Sequence, residues 1–182
     1  MKLTPRYRER FKKTLHHFKE GVVGFKCDQV TVPGGQLAER VYMTHAGAVG
    51  VLALTPERKI VLVKQYRYPV GEFTYEIPAG KLSVGENPWA CVRRELAEET
   101  GYRAKKLKKM LDFWPTAAFS DEVLHIFLAD KLIAAPAHPD PDEFLEIVQV
   151  TPARLEHMIR SGLIRDSKTI IAYFAWKNKF TR

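Results

Sequence analysis

Between Gly80 and Tyr102 the chain reads GKLSVGENPWACVRRELAEETGY, and within it Glu95, Glu98 and Glu99 fall at i, i+3 and i+4. Asn87 is a good N-cap, Pro88 suits the first helical turn, and Gly101 suits the position just past the end, so a helix is expected between them. On that helix the three carboxylates share one face. Like charges at this spacing cost about 0.2–0.5 kcal/mol per pair in an isolated helix, and Arg94, four residues before Glu98, offsets part of the cost. The remaining negative cluster supplies what a hard divalent cation needs: several oxygens on a short rigid element. Trp89, Val92 and Leu96 form an adjacent apolar stripe suited to hold the helix against a core. Taken alone, three such glutamates are equally compatible with a solvated acidic helix face.

The rest of the chain bounds the setting. Its 182 residues suffice for one full domain with a short accessory segment. Hydrophobic residues at 46% and charged residues at 27% match ordinary globular proteins, which excludes disordered and fibrous classes. No apolar run approaches the roughly 18 residues of a membrane span. The opening MKLTPRYRERFKK has no apolar core behind it, so it does not read as a secretory signal. Cys27 and Cys91 are too few for a disulfide scaffold or a zinc site of their own, and a reducing, cytoplasmic compartment is the expected location. The formal net charge of +8 comes from Lys and Arg clustered at residues 2–19, 103–109 and the last six, read as solvated helix faces. No nucleic-acid motif accompanies them, so nucleic acid is not an expected partner. An acidic knot within a basic surround instead suggests a metal-bearing site that draws in an anionic substrate.

Periodicity sets out the remaining elements. Phe11, Leu15 and Phe18 at helical spacing predict a basic amphipathic N-terminal helix to about Lys19. Residues 22–43 read as short β segments around a Pro33-Gly34-Gly35 turn. Strands are expected over 48–54, 60–65, 73–77, 123–129 and 144–150, with helices over 152–160 and 167–177 and a proline- and acid-rich loop over 134–143. The layout is mixed α/β rather than a regular βαβ alternation.

Gly80, Glu86, Arg94, Glu95, Glu98, Glu99 and Gly101, with apolar Leu96 and Tyr102, reproduce the pattern G-x5-E-x7-R-E-U-x-E-E-x-G-U at every position. Seven fixed residues at ordinary usage match by chance roughly once in a billion starts. The chain thus resembles the Nudix hydrolase superfamily, whose members cleave a nucleoside diphosphate linked to another moiety. The resemblance implies a mixed β-sheet sandwiched between helices, here with the N-terminal helix and a small antiparallel β segment (residues 1–45) ahead of a hydrolase domain (residues 46–182). It implies Mg²⁺ or Mn²⁺ held by Glu95, Glu98 and Glu99 and the main-chain carbonyl of Ala79, with Glu98 also counted as catalytic. Glu86 and Arg94 match positions that brace the loop and helix. There is neither a dinucleotide fingerprint nor a G-x-S-x-G elbow, so metal-assisted hydrolysis is the expected reaction class.

Flanking residues narrow the branch. VKQYRYPVGEFTYEIPAGKL (63–82), FWPTAAFSDEVLHIFLA (113–129) and IRDSKTIIAYFAW (164–176) resemble ADP-ribose and nucleoside diphosphate sugar pyrophosphatases over roughly residues 21–177. By that resemblance Arg67 contacts the substrate diphosphate, a task suited to a planar fork of N–H donors, and Arg40, Glu76 and Glu122 lie near the substrate. The acidic loop is where the subfamily keeps a mobile base; Glu143 is assigned that role, with Asp140 and Asp142 as competitors. Thr116-Ala117-Ala118 stands after Pro115 where ADP-ribose-preferring members often carry Ser-Pro-Gly. That departure favours a broader range including GDP- or ADP-hexoses. Phe25 and Tyr42 are aromatic groups able to stack a purine, although core packing suits either. His125 reads as a strand residue. Relatives of this branch are homodimers that exchange the N-terminal β segment, so a homodimer is expected. The alternatives are a Nudix enzyme for nucleoside triphosphates or dinucleoside polyphosphates, and a non-catalytic nucleotide-binding regulator.

Overall fold

The computed structural model describes residues 5–137 and 143–180. Three strands, β1 (Arg10–Glu20), β2 (Val23–Thr31) and β3 (Leu37–His45), form an antiparallel sheet of their own. The second sheet is mixed and seven-stranded. It comprises β4 (Ala48–Leu54), β5 (Ile60–Arg67), β6 (Glu72–Glu76), β7 (Ala79–Lys81), β8 (Tyr102–Phe113), β9 (Leu124–Ala134) and β10 (Glu146–Val150). Its main path runs β10-β5-β4-β9-β8, with β6 beside β5 and β7 beside β4. The helices are α1 (Pro88–Thr100), α2 (Pro152–Arg160) and α3 (Ser167–Phe180).

Every residue of β4 is buried. Val49, Val51 and Ala53 pack with Cys91, Val92 and Leu96 of α1, while Ala48, Leu52 and Leu54 pack with Leu155 and Met158 of α2 and Ala172, Tyr173 and Trp176 of α3. Successive side chains point to opposite faces, and both faces are covered, which is why this strand reads as a continuous apolar run. The expected mixed sheet between helices is the one observed.

Hydrogen bonding then opens the sheet where chemistry can enter. β4 pairs with β5 only at Ala53–Val61 and Leu54–Ile60, while its first half, Ala48–Gly50, pairs with β7. The far half of β5 pairs with β6 instead. The two central strands therefore diverge, and the Ile77-Pro78 link between β6 and β7 fills the gap, with the Val51 N–H donating to the Pro78 carbonyl at 2.9 Å. Arg67, Glu76 and Ala79 sit around that opening. α1 follows within a few residues, capped as expected by the Asn87 side chain, which accepts from the Trp89 N–H at 2.8 Å. It ends at Gly101 in the left-handed region, φ 67°. Trp89 lays its ring edge-on against Phe127 at 4.9 Å between centroids, while Val92 and Leu96 are fully enclosed.

Two expectations fail. The N-terminal helix is strand β1, paired with β2 along its length. Register shifts between Phe11 and Lys13 and between Thr14 and His16 insert extra residues into the strand. They place Phe11 opposite Val30 and Phe18 opposite Phe25, on opposite faces of the sheet. The spacing of three and four thus arises from bulges and not from a helical stripe. The basic stretch Arg103–Lys109 is likewise no helix face but part of β8, the outer strand beside β9. Lysines on such an edge keep other chains from pairing with it.

Candidate active site

A cleft of about 660 Å³ lies at the split in the sheet. The carboxylates of Glu95 and Glu99 enter it from α1, Glu143 closes it from the segment before β10, and Glu122 stands at its margin. Arg67 and Lys168 supply positive charge on its floor. Pro115 also lines it.

Each carboxylate has a structural reason for its position. Ala79 and Gly80 of β7 run directly beneath α1, and the Ala79 N–H donates to Glu99 at 3.1 Å. Burial pushes the Glu99 carboxyl up to about 8, the Ala79 N–H offsetting only part of this, and the nearby charges of Glu95 and Glu143 push it further in the same direction. Glu95 is also raised by burial, with Arg94 opposing. Arg94 spans the outer flank of α1, with Nη1 at 2.8 Å from Glu95 and 2.9 Å from Glu98, and Nη2 at 3.2 Å from Glu86. Glu86 in turn accepts from the Ser83 N–H at 2.9 Å, so Glu86 and Arg94 tie the loop to the helix.

These residues fit a hard divalent cation. The available donors are carboxylate oxygens and a main-chain carbonyl, the set that Mg²⁺ and Mn²⁺ prefer. Burial first, and then the charges of Glu95 and Glu143, hold the Glu99 carboxyl up, a cost that a bound cation would relieve. Among the described residues no three His, Cys, Asp or Glu side chains already converge tightly enough to hold an ion. Arg94 engages two of the candidate ligands, and a cation would compete with it for their oxygens.

The other residues singled out from the sequence are distributed unevenly. Glu98 lines a second hollow between α1 and β8 rather than the cleft, while its carboxylate shares Arg94 Nη1 with that of Glu95. Glu76 is buried under the floor and is bound by Arg67. Glu122 lies 4.0 Å from the His45 ring. Arg40 is not brought to the cleft of its own chain: it sits on β3, paired with Glu9 at 2.5 Å. Phe25 is exposed on the outer face of the N-terminal sheet, and the Tyr42 hydroxyl donates to Asp28 at 2.8 Å. His125, a strand residue as expected, contacts Asp112 at 2.7 Å. Asp140 and Asp142 fall outside the described residues.

Residues 44–172 match the family model described as the NUDIX domain. The chain belongs to the Nudix family. Within it, the chain is 42% identical over 157 residues to a Bacillus subtilis protein named ADP-ribose pyrophosphatase, covering 85% of each. It is 40% identical over 168 residues to a Bacillus methanolicus protein named methanol dehydrogenase activator, covering 91% of each. A solved structure titled as an ADP compounds hydrolase shares the Nudix fold with a TM-score of 0.76 at 17% identity, over 93% of both chains.

Sequence reasoning on the Nudix box left out part of the cleft. Lys168, Ser167 and Asp166 line it from the start of α3. The run 164–176 that contains them resembles the branch without giving them a role, and locally Asp166 precedes a helical pattern, where it accepts from the Thr169 N–H at 2.9 Å.

Proposed function

We propose that this Nudix hydrolase cleaves the diphosphate bond of nucleoside diphosphate sugars, ADP-ribose among them, to a nucleoside monophosphate and a sugar phosphate. The observation that carries this reading is the cleft itself, where buried carboxylates of Glu95 and Glu99 share with Arg67 a space open to a diphosphate. The name of the Bacillus subtilis relative supports the same substrate class. Mg²⁺ or Mn²⁺ would be held by Glu95, Glu98, Glu99 and the Ala79 carbonyl. Once bound, the cation would neutralise phosphate charge and make hydroxide available near neutral pH. Arg67 presents its guanidinium to phosphate oxygens and orients the diphosphate over the carboxylates. Glu143 is the proton acceptor for the attacking water, a role supported by its place on the cleft wall. Glu122 and Glu76 serve the substrate side, Glu122 at the margin and Glu76 through Arg67.

The proposal includes a homodimer. Phe18, Phe25, Leu37 and Val41 lie exposed on one face of the N-terminal sheet, as their cross-strand register requires. Such a face suits a second copy, and an exchanged segment would give Arg40 a site to reach outside its own chain. No helix among the described residues is long and apolar enough to cross a membrane. The free thiols of Cys27 and Cys91 fit the cytoplasm, which completes the proposed setting.

The test is a panel of ADP-ribose, GDP- and ADP-hexoses, nucleoside triphosphates and dinucleoside polyphosphates, incubated with Mg²⁺ or Mn²⁺ and resolved by chromatography. Nucleoside monophosphate plus sugar phosphate is the expected product pair. Glu99→Gln should lower its rate at least about a hundredfold while the protein stays folded by circular dichroism. Turnover of triphosphates alone would overturn the substrate class.

A further inference from the structure

The floor of the cleft is a closed quartet of charges. Arg67 donates through Nε to Glu76 Oε1 at 2.8 Å and through Nη2 to Oε2 at 2.7 Å. Thr74 donates its hydroxyl to the same Oε1 at 2.5 Å. Lys168 donates to Oε2 as well, and to Asp166 Oδ1 at 2.8 Å. Asp166 Oδ2 in turn accepts from the Thr169 hydroxyl at 2.5 Å, whose oxygen accepts from the Ile77 N–H at 2.8 Å. Two cations and two carboxylates therefore balance, and they join α3 to the strand link that leads into Ala79.

This arrangement determines which part of Arg67 meets a substrate. A guanidinium has five N–H donors in a rigid plane. The Nε/Nη2 edge is spent on Glu76, which leaves Nη1 for the cleft that Arg67 lines, and the side chain remains 43% exposed. Glu76 can hold that orientation only if its own charge is compensated, because its side chain is 3% exposed and both oxygens are committed. Arg67 alone supplies one positive charge against both Glu76 and nearby Asp166. Lys168, itself 13% exposed, supplies the second.

We propose that Lys168 is a positioning residue: by sharing Glu76 and Asp166 it holds the Arg67 guanidinium with one edge left to the cleft, and so sets affinity for the substrate's diphosphate. The inference rests on the reading of this cleft as a diphosphate site. Without Lys168 the quartet carries a net negative charge beneath an anionic ligand, and Glu76 loses one of the donors that fix its carboxylate plane. The loss falls on binding in ground and transition states alike, so it belongs in KM rather than kcat.

The experiment compares wild type, Lys168→Met, Lys168→Arg, Glu76→Gln and the Lys168→Met/Glu76→Gln double variant. Rates with ADP-ribose give kcat and KM, calorimetry with ADP gives a dissociation constant free of turnover, and thermal melting reports the fold. Lys168→Met should raise KM and the ADP dissociation constant about tenfold with kcat within about twofold, and Lys168→Arg should recover most of the affinity. If Lys168 acts through Glu76, the double variant loses less than the product of the two single losses. This non-additivity remains readable if Lys168→Met is less stable. A wild type that binds ADP but does not cleave ADP-ribose, with binding still weakened by Lys168→Met, would overturn the activity and leave the positioning role standing. Equal ADP affinity in wild type and Lys168→Met, or a drop in kcat with KM unchanged, would overturn the role itself.

Discussion

At Gly80 a Cβ would lie 1.9 Å from the Glu95 carboxyl carbon and 2.0 and 2.4 Å from its oxygens. No real Cβ tolerates such contacts, so the absence of a side chain here is what allows Glu95 to cross β7 and reach the cleft. Gly80→Ala should therefore displace the carboxylate while sparing the fold, because the group that must move is the end of a flexible side chain. Turnover of ADP-ribose should fall about a hundredfold with a melting temperature within a few degrees of wild type. A variant with full turnover would mean that Glu95 does not act from where it sits. Residues whose job is local are legible in the amino-acid sequence. Asn87 and Gly101 cap α1 through neighbours a few positions away, and Arg94 answers Glu98 one turn on. Gly80 is legible only as a position in a pattern, since the carboxylate above it comes from another element. Lys168 is not legible at all as part of the site: its partner Glu76 lies 92 positions away, and only the folded chain brings them together.

Three elements, β5, β6 and α3, converge on the one carboxylate of Glu76. Burial would raise this group, but hydrogen bonds from Arg67, Lys168 and Thr74 and the Lys168 charge outweigh it and hold the carboxyl at about 2, against an ordinary 4.5. The unfolded chain thus binds this proton more readily than the folded one, and stability rises with pH across the window between those values. The contribution is fully present above about 4.5 and is lost as pH falls toward 2; its size, from roughly 1.36 kcal/mol per pKa unit, is about 3 kcal/mol. Because the raised Glu99 carboxyl contributes with the opposite sign over this range, the loss is read by difference: in urea unfolding at pH 6, 4 and 3, the stability advantage of wild type over Glu76→Gln should be largest at pH 6 and shrink by pH 3. A Glu76→Gln profile parallel to wild type would deny Glu76 that role. The same dependence on neighbours explains which elements periodicity can read. The strands enclosed on both faces, such as β4, announce themselves as apolar runs. β8 does not, because an outer strand carries lysines on its open edge, and β1 does not, because bulges break its alternation.

For the molecule as a whole, the open balance is the N-terminal sheet. The register puts Phe18, Phe25 and Met43 in one cross-strand row and Cys27 with Val41 in the next, all on one face. Phe18 is 63% exposed, Phe25 54% and Val41 67%. Full burial of an aromatic or branched aliphatic side chain gains about 1.5–3 kcal/mol, so covering several together offsets a substantial part of the roughly 4–15 kcal/mol that association costs. A two-fold symmetric dimer applies the same patch from each copy and doubles the gain. The opposite face carries Asp28, which accepts from Thr14 at 2.7 Å and Tyr42 at 2.8 Å, so these three polar groups are satisfied within the chain. In the proposed dimer the face of Phe18, Phe25 and Val41 is the one a second copy covers. Phe18→Lys with Val41→Lys should shift sedimentation at micromolar concentration from dimer to monomer while leaving the main sheet's circular dichroism intact. If the exchanged segment also carries Arg40 to the partner's cleft, the monomeric variant should lose affinity for ADP-ribose as well, by about the tenfold that one phosphate-binding arginine contributes. A wild type that sediments as a monomer throughout would remove both expectations, and would leave the exposed face as a property of the isolated sheet.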